Sequence, residues 1–278
     1  MKVVQEIFVN AETGQPLSSI ASNANFSKKF QVRRSVLERI SQFMNALIKV
    51  VPLPIGKFDD PIVFRGWQNQ RDRINTSILV FPSKQAIIPF APAPLDFVKS
   101  LSTAATSSSD DKNTKVTIND VLFTITSQAL HDYLKEENDL SLESKGEQLS
   151  CRTLLPIALP RPDAEDKSKG LRNLWCFISC DLSVGLNDIV ERLWKIHGDL
   201  ADLKKGLVPI VSSALSTLVM MLPRQISRDQ TLQLFARHSM VFSNVPGPSD
   251  PVLFANHKVQ SAHMIHMTNN FFECYCRN

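Results

Sequence analysis

The feature that most limits the fold of this chain is an apolar run that gives way to a helical repeat. Leu174 to Leu182, with Trp175, Phe177 and Ile178, reads as a buried strand. Asp188 to Lys205 then aligns Ile189, Leu193, Ile196, Leu200 and Leu203 along one helical face. The alternation continues on both sides. Thr153 to Leu159 reads as a strand, Gly206 to Pro223 as an apolar helix and Gln230 to Ala236 as a helix. Ser239 to Phe242, Val252 to Phe254 and His257 to Ile265 read as strands. Without sequence repeats, this order predicts an α/β (α+β) fold, a mixed β-sheet covered by helices.

The first half is more varied. Met1 to Asn10 reads as helix, with Val3, Val4, Ile7 and Phe8 on one face, and residues 11 to 31 as a polar loop. From Arg33 to Val51 an amphipathic helix places Val36, Ile40, Phe43, Leu47 and Val51 at helical spacing among Lys and Arg, ending at Pro52-Leu53-Pro54. Such a helix packs its stripe on a core or lies on an anionic membrane surface. Pro61 to Gln85 reads as extended segments, Pro89 to Pro94 as a connector, and Leu95 to Leu101 as a short helix fading into the Ser-rich run 102–113. Thr117-Ile118-Asn119-Asp120 fits a capping box, with Val116 and Val121 placed as a hydrophobic staple. The helix it opens carries Ile118, Leu122, Ile125, Ala129 and Tyr133 as an apolar stripe, with His131 off that stripe. Glu136 to Leu149 reads as charged loop and Pro160 to Lys169 as a polar excursion.

Composition narrows the chemistry. The 31 Lys+Arg against 27 Asp+Glu leave a net charge of +4, which does not call for a nucleic-acid partner. Only 9 Gly argue against glycine-rich architectures, and neither a phosphate loop nor a dinucleotide fingerprint occurs. No Gly-x-Ser-x-Gly elbow and no His-Glu-x-x-His is present. Five Cys in no zinc-ligand spacing read as free thiols in a reducing compartment, with no metal site assigned. His131, His197 and His238 read as surface or structural histidines. Gly206 to Pro223 reads as a buried or surface-dipping helix rather than a span, with Pro209 interrupting an early turn. The first residues lack the layout of a secretory signal.

Longer patterns carry a resemblance. Val116-Thr117-Ile118-Asn119-Asp120-Val121-Leu122 resembles the Thr-Val-Asn-Asp-Val segment of the wax ester synthase/diacylglycerol acyltransferase family. Ser243-Asn244-Val245-Pro246-Gly247-Pro248 resembles its Asn-Val-Pro-Gly-Pro loop. Between them, Arg152 to Arg161 is similar to its Arg-x-x-x-Pro-Val-x-x-Arg strand. Asp188 to Lys204, through Asp188, Arg192, Leu193, Ile196, Leu203 and Lys204, is similar to its following helix. Pro94 to Lys99 resembles its lead-in helix. Arg172-Asn173 stands where the family has Gly-Asn, and Asp181-Leu182 where it has Leu-Pro.

The resemblance implies the C-terminal half of a two-domain coenzyme-A-dependent acyltransferase of the chloramphenicol acetyltransferase-like fold. Residues 1–93 would be the end of the N-terminal domain plus a connector, and residues 94–278 the C-terminal domain, incomplete at its end. It implies O-acylation of diacylglycerol or a long-chain alcohol by acyl-CoA as co-substrate, with no bound cofactor. The implied site is membrane-associated, at the endoplasmic reticulum or plasma membrane, or cytosolic, and not secreted. The family's general base lies in a His-His-x-x-x-Asp-Gly motif. This chain has no His-His pair, so no catalytic residue is expected in it and its ends are expected to be cut edges. By resemblance, Asn119, Asp120, Arg161, Asn173, Asn244, Pro246, Gly247 and Pro248 line or brace the substrate tunnel. Their plain alternatives are helix capping for Asn119 and Asp120 and a turn for Pro246-Gly247-Pro248. Two other readings stay open: a lipid- or partner-binding module that has lost its chemistry, and a transferase of the same fold with another acceptor.

Overall fold

The computed structural model describes residues 8–10, 36–63, 92–109, 114–159, 175–205, 207–245, 252–255, 257–259 and 273–276. Their order is β1 (Phe8–Asn10), α1 (Val36–Val50), α2 (Leu95–Ser107), α3 (Ile118–Glu136), α4 (Leu140–Lys145), β2 (Arg152–Ala158) and β3 (Trp175–Asp181). There follow α5 (Ile189–Lys205), α6 (Val208–Met220), α7 (Arg224–Ala236), β4 (Met240–Asn244), β5 (Val252–Phe254), β6 (His257–Lys258) and β7 (Glu273–Cys276). The fold is mixed α/β, as expected.

The larger sheet runs β3-β2-β4-β7. β2 and β3 are antiparallel, pairing Arg152 with Asp181 and Ala158 with Trp175. β2 and β4, and β4 and β7, are parallel, so α5, α6 and α7 lie in the long crossover that a parallel pairing requires. The ladder between β2 and β4 holds at Thr153 and Leu154. It stops short of Pro156, which has no N–H to donate. β3 buries one face, Cys176, Ile178 and Cys180, and leaves Trp175 exposed. It is therefore half-buried rather than enclosed on both sides. Trp175, Phe177 and Phe235 continue as edge-to-face rings on its other side, at 4.7 and 5.1 Å.

A second small sheet runs β1-β5-β6, with Phe8 opposite Phe254 and Asn10 opposite Val252. Phe8–Asn10 is thus strand where helical spacing predicted helix. An aromatic and a β-branched residue gain ladder bonds there that a local pattern does not register.

One core gathers Phe123, Leu130 and Leu134 of α3, the β2–β3 face, Ile196, Leu200 and Leu203 of α5, and Val208 and Val211 of α6. Ala46 and Val50 of α1 and Leu53 and Ile62 beyond it join the same core. α1 packs on α6 through Ala46 and Val50. The predicted stripe is rotated: Ile40, Phe43 and Val51 are exposed, while small Ala46 is buried. A second cluster joins Val98 of α2 to the staple pair Val116 and Val121, flanked by Leu193 and Trp194.

Three further expectations change. α2 continues to Ser107, and within it Thr103, Thr106 and Ser107 turn their hydroxyls back on carbonyls one turn earlier instead of drawing the backbone out of the helix. The Glu136–Leu149 stretch holds α4, capped by Asp139, whose carboxylate accepts the Ser141 and Leu142 N–H groups at 2.9 Å. Pro209 sits in the first turn of α6, where no N–H is required, and interrupts nothing. Among the described residues no single helix is long and apolar enough to cross a membrane.

Candidate functional site

The site grows from the first turn of α3. Thr117 is the N-cap. The Asp120 N–H donates to Thr117 Oγ1 at 3.3 Å, and the Thr117 N–H donates to Asp120 Oδ2 at 2.8 Å, which completes the capping box. Asp120 is buried. Its carboxylate sits at the positive end of the helix dipole, where a negative charge is favoured. The same Oδ2 lies 2.9 Å from His197 Nδ1, delivered by α5 from 77 positions away. A carboxylate accepts, so Nδ1 carries the proton in this contact. Trp194, one turn earlier on α5, meets the imidazole edge-on with centroids 6.1 Å apart.

Asn119 lies beside Asp120 on the exposed side of that turn, and its Oδ1 accepts from Asn244 Nδ2 at the end of β4. The two residues are 125 positions apart. The structure thus joins two of the segments that carried the family resemblance. Asn244 Oδ1 is buried and has no hydrogen-bond partner among the described residues. Of the remaining site residues named from the sequence, Arg161, Asn173, Pro246, Gly247 and Pro248 lie outside the described residues.

The face of α3 below this turn overturns the predicted stripe. Ile125 and Tyr133 are 45% and 39% exposed. The buried face is Asp120, Phe123, Thr124, Ser127, Leu130, His131 and Leu134. Hydropathy favoured the wrong side because the buried side holds polar groups, each with a partner. Thr124 Oγ1 donates to the Asp120 carbonyl at 2.8 Å, and Ser127 Oγ to the Leu182 carbonyl. His131 Nδ1 donates to the Val184 carbonyl at 2.7 Å. His131 is therefore a satisfied core histidine rather than a surface one.

The Leu182 and Val184 carbonyls belong to the turn 182–186 after β3, which is buried throughout. Arg192, fully buried on α5, completes it. Its Nε donates to the Ser183 carbonyl at 3.2 Å, its Nη2 to those of Val184 and Leu186, and its Nη1 to Gln128 Oε1. Burial lowers the Arg192 pKa from its ordinary value, and Asp132 and Asp188 act against that. Ser183 has φ +50°, a left-handed conformation that costs a non-glycine residue energy. A Cβ at Gly185 would fall 1.8 Å from the Gly146 carbonyl oxygen, so only glycine permits that approach. His238 is structural, with Nδ1 2.6 Å from the Leu234 carbonyl and Nε2 2.9 Å from Ser179 Oγ.

His197 is the residue that reading the sequence missed. It stands on a helix with its own apolar stripe, and no local spacing links it to Asp120. The arrangement offers carboxamides and an oriented imidazole, without a nucleophile beside a base.

Residues 172–270 match the family described as WS/DGAT C-terminal domain. Among solved structures the chain is similar to the wax ester synthase/diacylglycerol acyltransferase from Marinobacter aquaeolei VT8, at 20% identity and a TM-score of 0.38. That match covers 60% of this chain and 33% of the other, so the chain spans about a third of the length of the protein it matches. The comparison with curated proteins finds no match.

Proposed function

Taking as premise that residues 172–270 match the WS/DGAT C-terminal domain family, we propose that the chain is the bracing part of an acyl-CoA-dependent O-acyltransferase. The acceptor is diacylglycerol or a long-chain alcohol, and the product a triacylglycerol or wax ester. The observation that supports this most is the Asn119–Asn244 hydrogen bond, which holds two resembling segments together at the end of a sheet. In such a reaction the acceptor hydroxyl loses a proton as its oxygen attacks the thioester carbonyl and the CoA thiol leaves. A positioned base must take that proton. In this reading the chain holds and aligns substrate, and the base is supplied by a segment with the His-His motif that these 278 residues do not contain.

The lipid side of the reading rests on exposed apolar surface. Ile40, Met44 and Ile48 are exposed on α1 and Val51 just after it, and Leu218 and Met220 are exposed at the end of α6 and Met221 just after it. Lys49 and Arg224 lie exposed nearby in sequence. Apolar faces edged with cations suit an anionic lipid surface.

Calorimetry with palmitoyl-CoA, paired with a thiol assay for released CoA in the presence of hexadecanol or dioleoylglycerol, tests the proposal. Binding without CoA release is expected from the 278-residue chain. Absence of binding sinks the substrate assignment, and turnover by this chain alone sinks the bracing role. Flotation with phosphatidylserine vesicles is expected to carry the protein upward, and an Ile48→Asp variant is expected to float less.

A further inference from the structure

We infer that His197 is a positioning residue for the Asn119–Asn244 junction, acting through Asp120. This rests on the reading of Asn119 and Asn244 as site residues given above. The capping box is complete without His197: Thr117 and Asp120 already satisfy each other's N–H groups. The imidazole adds a second donor to the same Oδ2, which the Thr117 N–H already reaches. That second bond adds direction to a carboxylate already capped. It pins the Asp120 side chain from α5 as well as from its own helix, and so sets the rotation of the first turn of α3.

Asn119 is the next residue back on that turn. The direction of its carboxamide follows the turn, and Asn244 Nδ2 at the end of β4 donates to it. The chain of contact therefore runs from α5 through His197, Asp120 and Asn119 to Asn244, just ahead of the Val245–Pro248 segment. Two anchors hold the imidazole itself. Asp120 takes Nδ1, and the Trp194 ring stands against it at 87°. Its side chain is four-fifths buried and that of Asp120 nearly wholly so, which keeps water from competing for the bond. An imidazole used only to cover surface has no need of this geometry.

Two substitutions separate the nitrogen atoms. In His197→Asn the amide nitrogen stands near the position of Nδ1, and in His197→Gln near that of Nε2. The full chain, selectively 15N-labelled on asparagine and histidine, is compared by NMR. In the unsubstituted protein the imidazole nitrogens are expected to report a proton on Nδ1. The His197→Asn variant is expected to keep the Asn119 and Asn244 carboxamide resonances in place. The His197→Gln variant is expected to shift both and to bind palmitoyl-CoA about tenfold more weakly, the loss of one well-placed hydrogen bond.

A neutral imidazole with its proton on Nε2 overturns the inference without need of any variant. So does an equal response of the carboxamides to both substitutions, or none to either. The imidazole and carboxamide signals need no ligand. A wild-type chain that fails to bind palmitoyl-CoA but shows the expected signals therefore counts against the proposed function alone.

Discussion

Asp181 ends β3 with a carboxyl that burial pushes above the ordinary carboxylate range, while the Ser183 N–H and Lys195 pull it back. The native state therefore favours its protonated form. The stability this contributes is complete below the ordinary value near 3.8 and is lost as pH rises through the raised value. Asp181→Asn keeps an oxygen for the Ser183 N–H at 2.5 Å and removes the titration. In urea unfolding from pH 4 to pH 8 the variant is expected to gain on the wild type as pH rises; a constant difference would speak against it. Burial also pushes the Cys176 thiol up to about 11, with the Ser212 hydroxyl opposing. Since the thiolate is the reactive form, iodoacetamide at pH 8 is expected to leave Cys176 unmodified until the chain is unfolded, as read by peptide mass spectrometry. At this scale the sequence was only partly legible. The Thr117 cap and the Asp120 carboxylate follow from a local pattern of four residues. His131 and His197 do not, because their partners are a carbonyl 53 positions away and a carboxylate 77 positions away.

Helices were legible as helices, but not always by the face they bury. α3 shows why. Its apolar residues at 118, 122, 125, 129 and 133 make a regular stripe, yet the helix turns Thr124, Ser127 and His131 inward, because the turn 182–186 offers carbonyls to Ser127 and His131 and the Asp120 carbonyl one turn back takes Thr124. Hydropathy scores side chains as if no acceptor awaited them. α1 misleads for a different reason, since a small residue, Ala46, is buried in the core while Ile40 and Phe43 of the predicted stripe stay exposed. Two glycines test the element scale. Gly198 lies within α5 with nothing within 4 Å of a added Cβ, so Gly198→Ala is expected to stabilise by about 0.5–1 kcal/mol. Gly185→Ala must displace backbone at Gly146 and is expected to lower the unfolding midpoint sharply. Thermal melts of both variants check the opposite signs.

The described residues are tied across long distances by an ion pair between a buried carboxylate and a partly exposed arginine. Asp59 accepts the Arg152 Nε at 2.6 Å, the Arg152 N–H at 2.7 Å and the Ser239 hydroxyl at 2.7 Å. Arg152 Nη2 reaches the Lys57 carbonyl at 2.7 Å, and Arg237 Nε the Pro54 carbonyl at 2.8 Å. The stretch after α1 is thereby strapped to β2 and to the entry of β4. Asp59→Ala leaves Arg152 without its carboxylate and is expected to cost about 3–5 kcal/mol. Limited proteolysis within 51–63 should then quicken. None of this was legible, because Asp59 sits in a stretch with no regular period. The order of elements from β2 to β5 was legible, and so was the resemblance that the family match over 172–270 bears out. The parallel pairing of β2 with β4 and the antiparallel pairing of β1 with β5 were not, since register is decided by residues far apart in the chain.

The inward polar face of α3 makes that helix a poor candidate for transplantation. Lifted into another scaffold, Ser127 and His131 would enter a foreign interior without acceptors, and each orphaned group costs about 1–3 kcal/mol. A graft would have to bring along the Leu182–Leu186 turn and the Arg192 that organises it. The inheritable unit here is the helix together with the turn it reads, and recombination that separates them would discard both.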